Sequence, residues 1–173
     1  MNPLAENANQ YQPPKITVLM PVYNVSKFLP KCLQTLMDQT FRDFRLIAVN
    51  DGSTDNCLEI LRDFEAKYHN ITVIDQPNRG MSMARNAALA LADSKYICFV
   101  DSDDYLAPTF LQELYQAITI HDADIACCYY YYHFVESDSL YKYPFRTSGV
   151  FNKEEALKKL LKDVQIQSLA WNK

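Results

Sequence analysis

Apolar residues recur along this chain in two alternating rhythms. Short β-branched runs, Lys15 to Met20 ("KITVLM"), Phe44 to Val49, Ile71 to Ile74 and Tyr96 to Val100, predict four strands. Between them, apolar positions spaced three and four apart predict amphipathic helices. One follows a Ser26 cap, with Phe28, Leu29, Cys32, Leu33, Leu36 and Met37 on its face, and a second follows an Asp55 cap, with Leu58, Ile60, Leu61 and Phe64. The Ala-rich stretch Ser82 to Ala92 predicts a third helix, and Pro108 marks the start of a fourth, with Phe110, Leu111, Leu114, Tyr115 and Ile118 on one face. Ile125 to Val135, aromatic and β-branched, predicts a fifth strand, and Asn152 with Glu155 forms a capping-box pattern opening a last helix. Strand and helix therefore alternate for most of the chain. That order predicts an α/β fold: a mainly parallel sheet with helices on both faces, whose ligands bind beyond the carboxyl ends of the strands.

The polar residues sharpen this picture, because each of the four predicted parallel strands ends in an unusual cluster. "PVYN" follows the first, "NDGSTD" the second, "DQPNRG" the third and "DSDD" the fourth. In a parallel sheet all four gather on one rim. Turn chemistry alone does not require that coincidence. Asp101 and Asp103 flank Ser102 at a strand end, so two carboxylates can converge on a hard divalent cation while water and phosphate oxygens complete its shell. An Asp-rich turn that merely caps the next helix is the simpler alternative for a lone DxD. Asp51, beside the turn residue Gly52, offers an acceptor to a ring N–H or a hydroxyl, or an ordinary Asx turn. Arg79 and Arg85 flank a Gly80 turn and a helix start, where guanidinium groups and backbone N–H donors suit phosphate; surface salt bridges are the alternative. Tyr129 to Tyr132 alternate across the fifth predicted strand, core packing being the simpler expectation and a cleft for a sugar the other.

Composition removes several function classes. With 17 basic and 21 acidic residues and a net charge of -4, the chain has no Lys/Arg block to serve as a footprint for nucleic acid. Five cysteines at Cys32, Cys57, Cys98, Cys127 and Cys128 lack CxxC spacing and suit reduced structural thiols in a cytoplasmic protein. Only Gly52, Gly80 and Gly149 are glycines, so neither GxGxxG nor GxxxxGK can be written. The longest apolar run, residues 125–135, is short of the ~20 residues that a spanning helix needs, and residues 1–14 read as a polar lead without signal-peptide character.

Taken together, "ITVLMPVYNVSKFLPKCLQTLMDQTFRDFRLIAVNDGSTDNCLEIL", "QPNRGMSMARNAAL" and "YICFVDSDDYL" resemble the family 2 glycosyltransferases of the GT-A (Rossmann-like) fold. The likeness covers about Ile16 to Leu106 in order and spacing. It implies a GT-A domain over residues 15–173, a nucleotide-sugar donor, most often a UDP-sugar, Mn2+ or Mg2+, and inversion at the anomeric carbon. Carried over by motif, Pro21 and Tyr23 would border the nucleobase and Asp51 would bond it. Asp101 would approach the ribose, Asp103, with Asp101, would hold the metal bridging the diphosphate, and Arg85 would lie near the diphosphate or order the acidic loop; Val22, Asn24, Arg79 and Ser102 complete the expected donor-binding set. Asn50 stands where the family often has Asp, and an amide still donates and accepts there.

The acceptor would be a saccharide or lipid-linked sugar in cell-surface polysaccharide synthesis, with the longer enzyme cytoplasmic or at the inner face of the membrane. Residues 107–173 contain no Glu-Asp or Asp-Asp pair to match the family's base, so the chain reads as a donor-binding part, incomplete at its C-terminus, with the base beyond Lys173. Two rival readings are a nucleotide-binding module without catalysis and a phosphatase with a DxD nucleophile.

Overall fold

The computed structural model describes residues 11–142 and 148–162. Within them the chain divides into two compact units. One runs to Leu33 and resumes over Arg42–Asp104; the other takes Gln34–Phe41 and the residues from Tyr105 onward.

The first unit is built on four parallel strands, β1 (Ile16–Val22), β2 (Phe44–Asp51), β3 (Ile71–Gln76) and β4 (Tyr96–Phe99), in the order β3-β2-β1-β4. In-register pairs Ile16↔Phe44, Leu46↔Ile71 and Ile16↔Tyr96 start the three ladders together. The two central strands are covered on both faces. All seven positions of β1 are buried, as are all but one of β2, so these strands read as continuous apolar runs and not as alternations. The β3 strand forms an edge and does alternate, and Glu65 of the preceding helix accepts the Val73 N–H at 2.7 Å, closing one donor of that edge.

Helices connect the strands: α1 (Leu29–Met37), α2 (Cys57–Lys67) and α3 (Met81–Ala90). On α3, Ala84 and Ala88 lie one turn apart and pack with Leu19, Ile47, Val49 and Ile97. Methyl groups on that face let the helix sit close to the sheet, and deleting larger side chains there is not needed to make room. The predicted parallel α/β fold is therefore present, with boundaries moved by a few residues: α1 starts at Leu29 and not at Ser26, and α3 ends at Ala90.

In the second unit, α4 (Phe110–Ile120) buries Leu111, Leu114 and Ile118. The fully buried Gln39 donates to Thr35 O (3.1 Å) and Ala107 O (2.7 Å) and accepts from Leu111 N (3.0 Å). The predicted long fifth strand is not formed. Instead Tyr131–Phe134 (β5) pairs antiparallel with Ser139–Lys142 (β6) as a two-stranded hairpin of its own, and residues 125–130 have no regular structure. Tyr129, Tyr131 and Tyr132 are exposed, so the core expected for the tyrosine run is absent. Helix α5 (Lys153–Lys162) opens with the predicted capping box, Asn152 Oδ1 accepting the Glu155 N–H at 3.0 Å and Glu155 Oε2 accepting the Asn152 N–H at 3.1 Å. Among the described residues no cysteine forms a disulfide; Cys32, Cys57 and Cys98 are buried, whereas Cys127 and Cys128 are exposed.

Candidate functional site

Parallel register places the ends of β1, β2, β3 and β4 on one rim, and the polar clusters read from the sequence lie there. A cleft of about 490 Å³ opens among them. Pro21, Val22 and Tyr23 line it from β1, Asp51 from β2, and Asp101, Ser102 and Asp103 from the turn after β4. Gly80, read from the sequence as a turn, also lines it, as do Asn78 and Met81, to which the sequence assigned no role of their own. Tyr23 (48% exposed) and Met81 (55% exposed) are large apolar side chains left open to solvent on this cleft, which suits contact with a ligand and not with the core.

The loops that carry these residues are fastened by side chains. Asn24 sits in the left-handed region (φ 52), one residue after Tyr23. Its N–H donates to Ser53 Oγ (3.2 Å), and its Oδ1 accepts from Thr54 N (2.7 Å) and Thr54 Oγ1 (3.2 Å). Asp55 accepts the Ser26 N–H at 2.9 Å and the Cys57 N–H at 3.1 Å. Burial opposes ionisation of Asp55, but these hydrogen bonds from Cys57 and Ser26 prevail and hold its carboxyl at about 2. The N-cap of α2 is Asn56 and not the expected Asp55, which accepts the first helical N–H from one position earlier and ties the β1–α1 loop to the β2–α2 loop.

Asp51 is nearly inaccessible, at 1% exposure. Its Oδ1 accepts from Gln76 Nε2 (2.7 Å) and Arg79 N (2.9 Å), and its Oδ2 from Gly80 N (2.8 Å). Burial raises the cost of charge on Asp51, yet the Gln76 amide, the two backbone donors and the Arg79 charge outweigh it and hold the carboxyl below its usual range. The buried group therefore stays ionised. Gly52, at φ 69, follows it, and a Cβ there would lie 2.6 Å from Asn78 N, so only glycine allows the 76–80 segment to approach.

On the other wall, Arg85 of α3 meets Asp101 Oδ1 at 2.7 Å and lies over the Phe99 ring, 5.6 Å from its centroid. Among the described residues its Nε is buried without an acceptor. Asp104, next in the turn, is pushed above its usual range first by burial and then by the charges of Asp101 and Asp103. Asp103 makes no hydrogen bond or ion pair among the described residues. Of the predicted site residues, then, seven line one cleft. Asn24 and Arg85 brace its walls, and Arg79 contributes its backbone N–H to Asp51.

A protein-family model described as glycosyl transferase family 2 matches residues 17–171. The chain belongs to that family. Among family 2 relatives, GlyA of Streptococcus pneumoniae serotype 4, a glycosyltransferase, is 40% identical over 139 residues, covering 80% of this chain and 20% of GlyA. S. aureus TarS, solved in complex with UDP, superposes with a TM-score of 0.60 and 34% identity over 64% of this chain and 34% of the TarS chain. The Pyrobaculum calidifontis mannosyltransferase PcManGT, solved with GDP-Man and Mn2+, has a TM-score of 0.62 at 21% identity over 68% of this chain and 36% of its own, a likeness of fold. The chain thus spans well under half the length of each of these proteins. No helix among the described residues is long and apolar enough to cross a membrane.

Proposed function

We propose that the cleft binds a nucleotide-sugar donor, a UDP-sugar in first place, and that the protein transfers the sugar with inversion to a saccharide or lipid-linked acceptor in cell-surface polysaccharide synthesis, at the cytoplasmic side of the membrane. The observation that carries the reading is the pairing of an apolar wall, Pro21, Val22 and Tyr23, with carboxylates at the ends of β2 and β4 in one cleft. The wall suits a base, and an ionised Asp51 suits a ring N–H donor. TarS, solved in complex with UDP, is 34% identical, and that supports uracil as the base.

The donor set at the β4 turn fits a divalent cation. Its ligand atoms are hard carboxylate oxygens, Asp101 is already matched by Arg85, and Asp103 is unengaged among the described residues. No three His, Cys, Asp or Glu side chains are arranged to hold an ion among those residues, so phosphate oxygens and water would complete the shell. Asp103, with Asp101 beside it, would hold Mn2+ or Mg2+, which when bound supplies charge to stabilise the departing diphosphate. Asp51 positions the base, Tyr23 covers it, and Arg85 keeps the Asp101 carboxylate turned into the cleft. No residue of this chain is assigned as the base that deprotonates the acceptor.

Thermal melting with UDP, GDP, dTDP and CMP, each with and without Mn2+, tests the reading, because a ligand that binds only the folded state raises Tm by mass action. UDP is expected to give the largest rise, larger with Mn2+, with the metal-dependent part lost in Asp103→Ala. An equal rise with all four nucleotides, or none with UDP, refutes the assignment of base.

A further inference from the structure

Gln76 is the last residue of β3, and the ladder sets it directly across from Asp51. One rung earlier, Asn50 Nδ2 donates to Asp75 Oδ1 at 2.7 Å, so the final two rungs are each closed by side chains as well as by main chain. The Gln76 amide is partly buried and gives Nε2 to Asp51 Oδ1 at 2.7 Å. Its orientation is dictated by chemistry, since an ionised carboxylate accepts and cannot donate, and only the NH2 end can face it.

The torsion that turns a carboxylate about its Cβ–Cγ bond is broad and roughly two-fold, so an Asp that meets backbone donors alone has some freedom to rotate. Here a third donor, on a neighbouring strand, fixes the plane. With that plane fixed, Oδ1 takes the Arg79 N–H and Oδ2 the Gly80 N–H. Gly80 is the residue before α3, and Asn78, Gly80 and Met81 line the cleft. A chain of contacts therefore runs from the Gln76 side chain through the Asp51 carboxylate to the wall that a ligand would touch. Gln76 itself does not line the cleft.

We propose that Gln76 is a positioning residue for nucleotide binding: it orients the Asp51 carboxylate, which in turn holds the 78–81 wall and the start of α3. The effect on ligand rests on the donor-site reading above, whereas the effect on the wall does not. Two variants on the full chain separate the steps. Gln76→Leu removes the donor at similar volume, and Gln76→Glu keeps the shape while setting a second carboxylate against Asp51. The readouts are hydrogen exchange at the Arg79 and Gly80 amides and UDP affinity by calorimetry in the presence of Mn2+.

Both amides are expected to exchange roughly ten- to a hundredfold faster in Gln76→Leu, and faster again in Gln76→Glu, with UDP weakened by about the same factors, as the loss of one hydrogen bond to a charged group implies. Lowering the pH toward 5 should restore part of the loss in Gln76→Glu alone, because one proton shared by the two carboxyls replaces the missing donor. Wild-type exchange at both amides in Gln76→Glu overturns the proposal. So does an unchanged UDP affinity when the amides are freed. If the unmodified chain binds no nucleotide, the donor-site reading falls with it, and the exchange data still decide whether Gln76 holds the wall.

Discussion

Replacing Gly52 with alanine tests the close approach of the β2 turn to the 76–80 segment. Two costs can be worked from the geometry. At φ 69 an alanine occupies the left-handed region, which costs roughly 1–2 kcal/mol. Its Cβ would also lie 2.6 Å from Asn78 N, about 0.8 Å inside the 3.4 Å at which ordinary contact begins. The obstructing atom is main chain, so no rotamer change relieves it. The segment must move and stretch the hydrogen bonds from Arg79 N and Gly80 N to Asp51, a repacking cost of about 1–3 kcal/mol. The expected total is about 3 kcal/mol, or a fall in Tm of roughly 6–12 °C for a chain of this size. Urea unfolding followed by circular dichroism measures it directly, with Asn78→Gly in the Gly52→Ala background as the control. Of the three Asn78 atoms within 3.2 Å, that second change removes only the Cβ and leaves the main-chain N and Cα in place, so it should recover little. A loss under about 1 kcal/mol, or full recovery in the double variant, refutes the argument that backbone contact excludes a side chain here.

Three further outcomes are expected. Asp55 carries a folded pKa of about 2 against the usual 3.8, so its hydrogen bonds contribute fully above pH 4 and are lost as pH falls through about 2; the gap corresponds to about 2.4 kcal/mol at most, and to about 1 kcal/mol once solvent screening of this partly exposed group is allowed for, which acid unfolding of the wild type against Asp55→Asn should show as a flatter pH dependence in the variant. Gln39→Leu fills the same space and leaves Ala107 O and Leu111 N without their partner, so denaturant unfolding should register a loss of about 2–4 kcal/mol. Asn24→Ala both strains a left-handed residue and deletes the bonds to Thr54, whereas Asn24→Gly only deletes them; the alanine variant should be less stable by about 1 kcal/mol in the same measurement.

What was legible in the sequence and what was not follows from the range of the forces involved. The strand ends could be read because an apolar run that stops at Asn50 or Val100 and gives way to Asp and Ser is a local signal, and parallel order then fixes where those ends meet. The helix periods and the Asn152 capping box are local in the same sense. The cluster holding Gln76 and Asn78 was marked as polar, but nothing local assigned either of them, or Met81, a role. Their role arises from an Asp some 25 positions earlier in the chain, reached only when β2 and β3 pair. Arg85 was read either as a phosphate ligand, as ordering the acidic loop or as a salt bridge, and the fold pairs it with Asp101 of that loop, a choice no local signal could make. The long strand expected at Ile125 to Val135 failed for a related reason. An apolar, aromatic run has the intrinsic preference for extended structure, but a strand exists only where another offers it hydrogen bonds, and Ser139–Lys142 offers four residues' worth. The tyrosines were accordingly left on the surface of a hairpin.

The strand order carries a consequence for how the cleft comes into being as the chain folds. Ile16 on β1 must find Phe44, 28 residues on, and also Tyr96, 80 residues on. Closing the second loop costs about 0.9 kcal/mol more in chain entropy than closing the first, and it must wait until the intervening strands and helices are made. During that interval β1, with six apolar residues and Thr17, has one open edge. The turn bearing Asp101 and Asp103 arrives only with β4, so β1, β2 and β3 can be paired, with Asp51 already in place, before Asp101 and Asp103 face the Tyr23 wall. Competence to bind a nucleotide should therefore appear as a late kinetic event, after most of the secondary structure has formed, and a nucleotide present during refolding should slow unfolding more than it speeds folding.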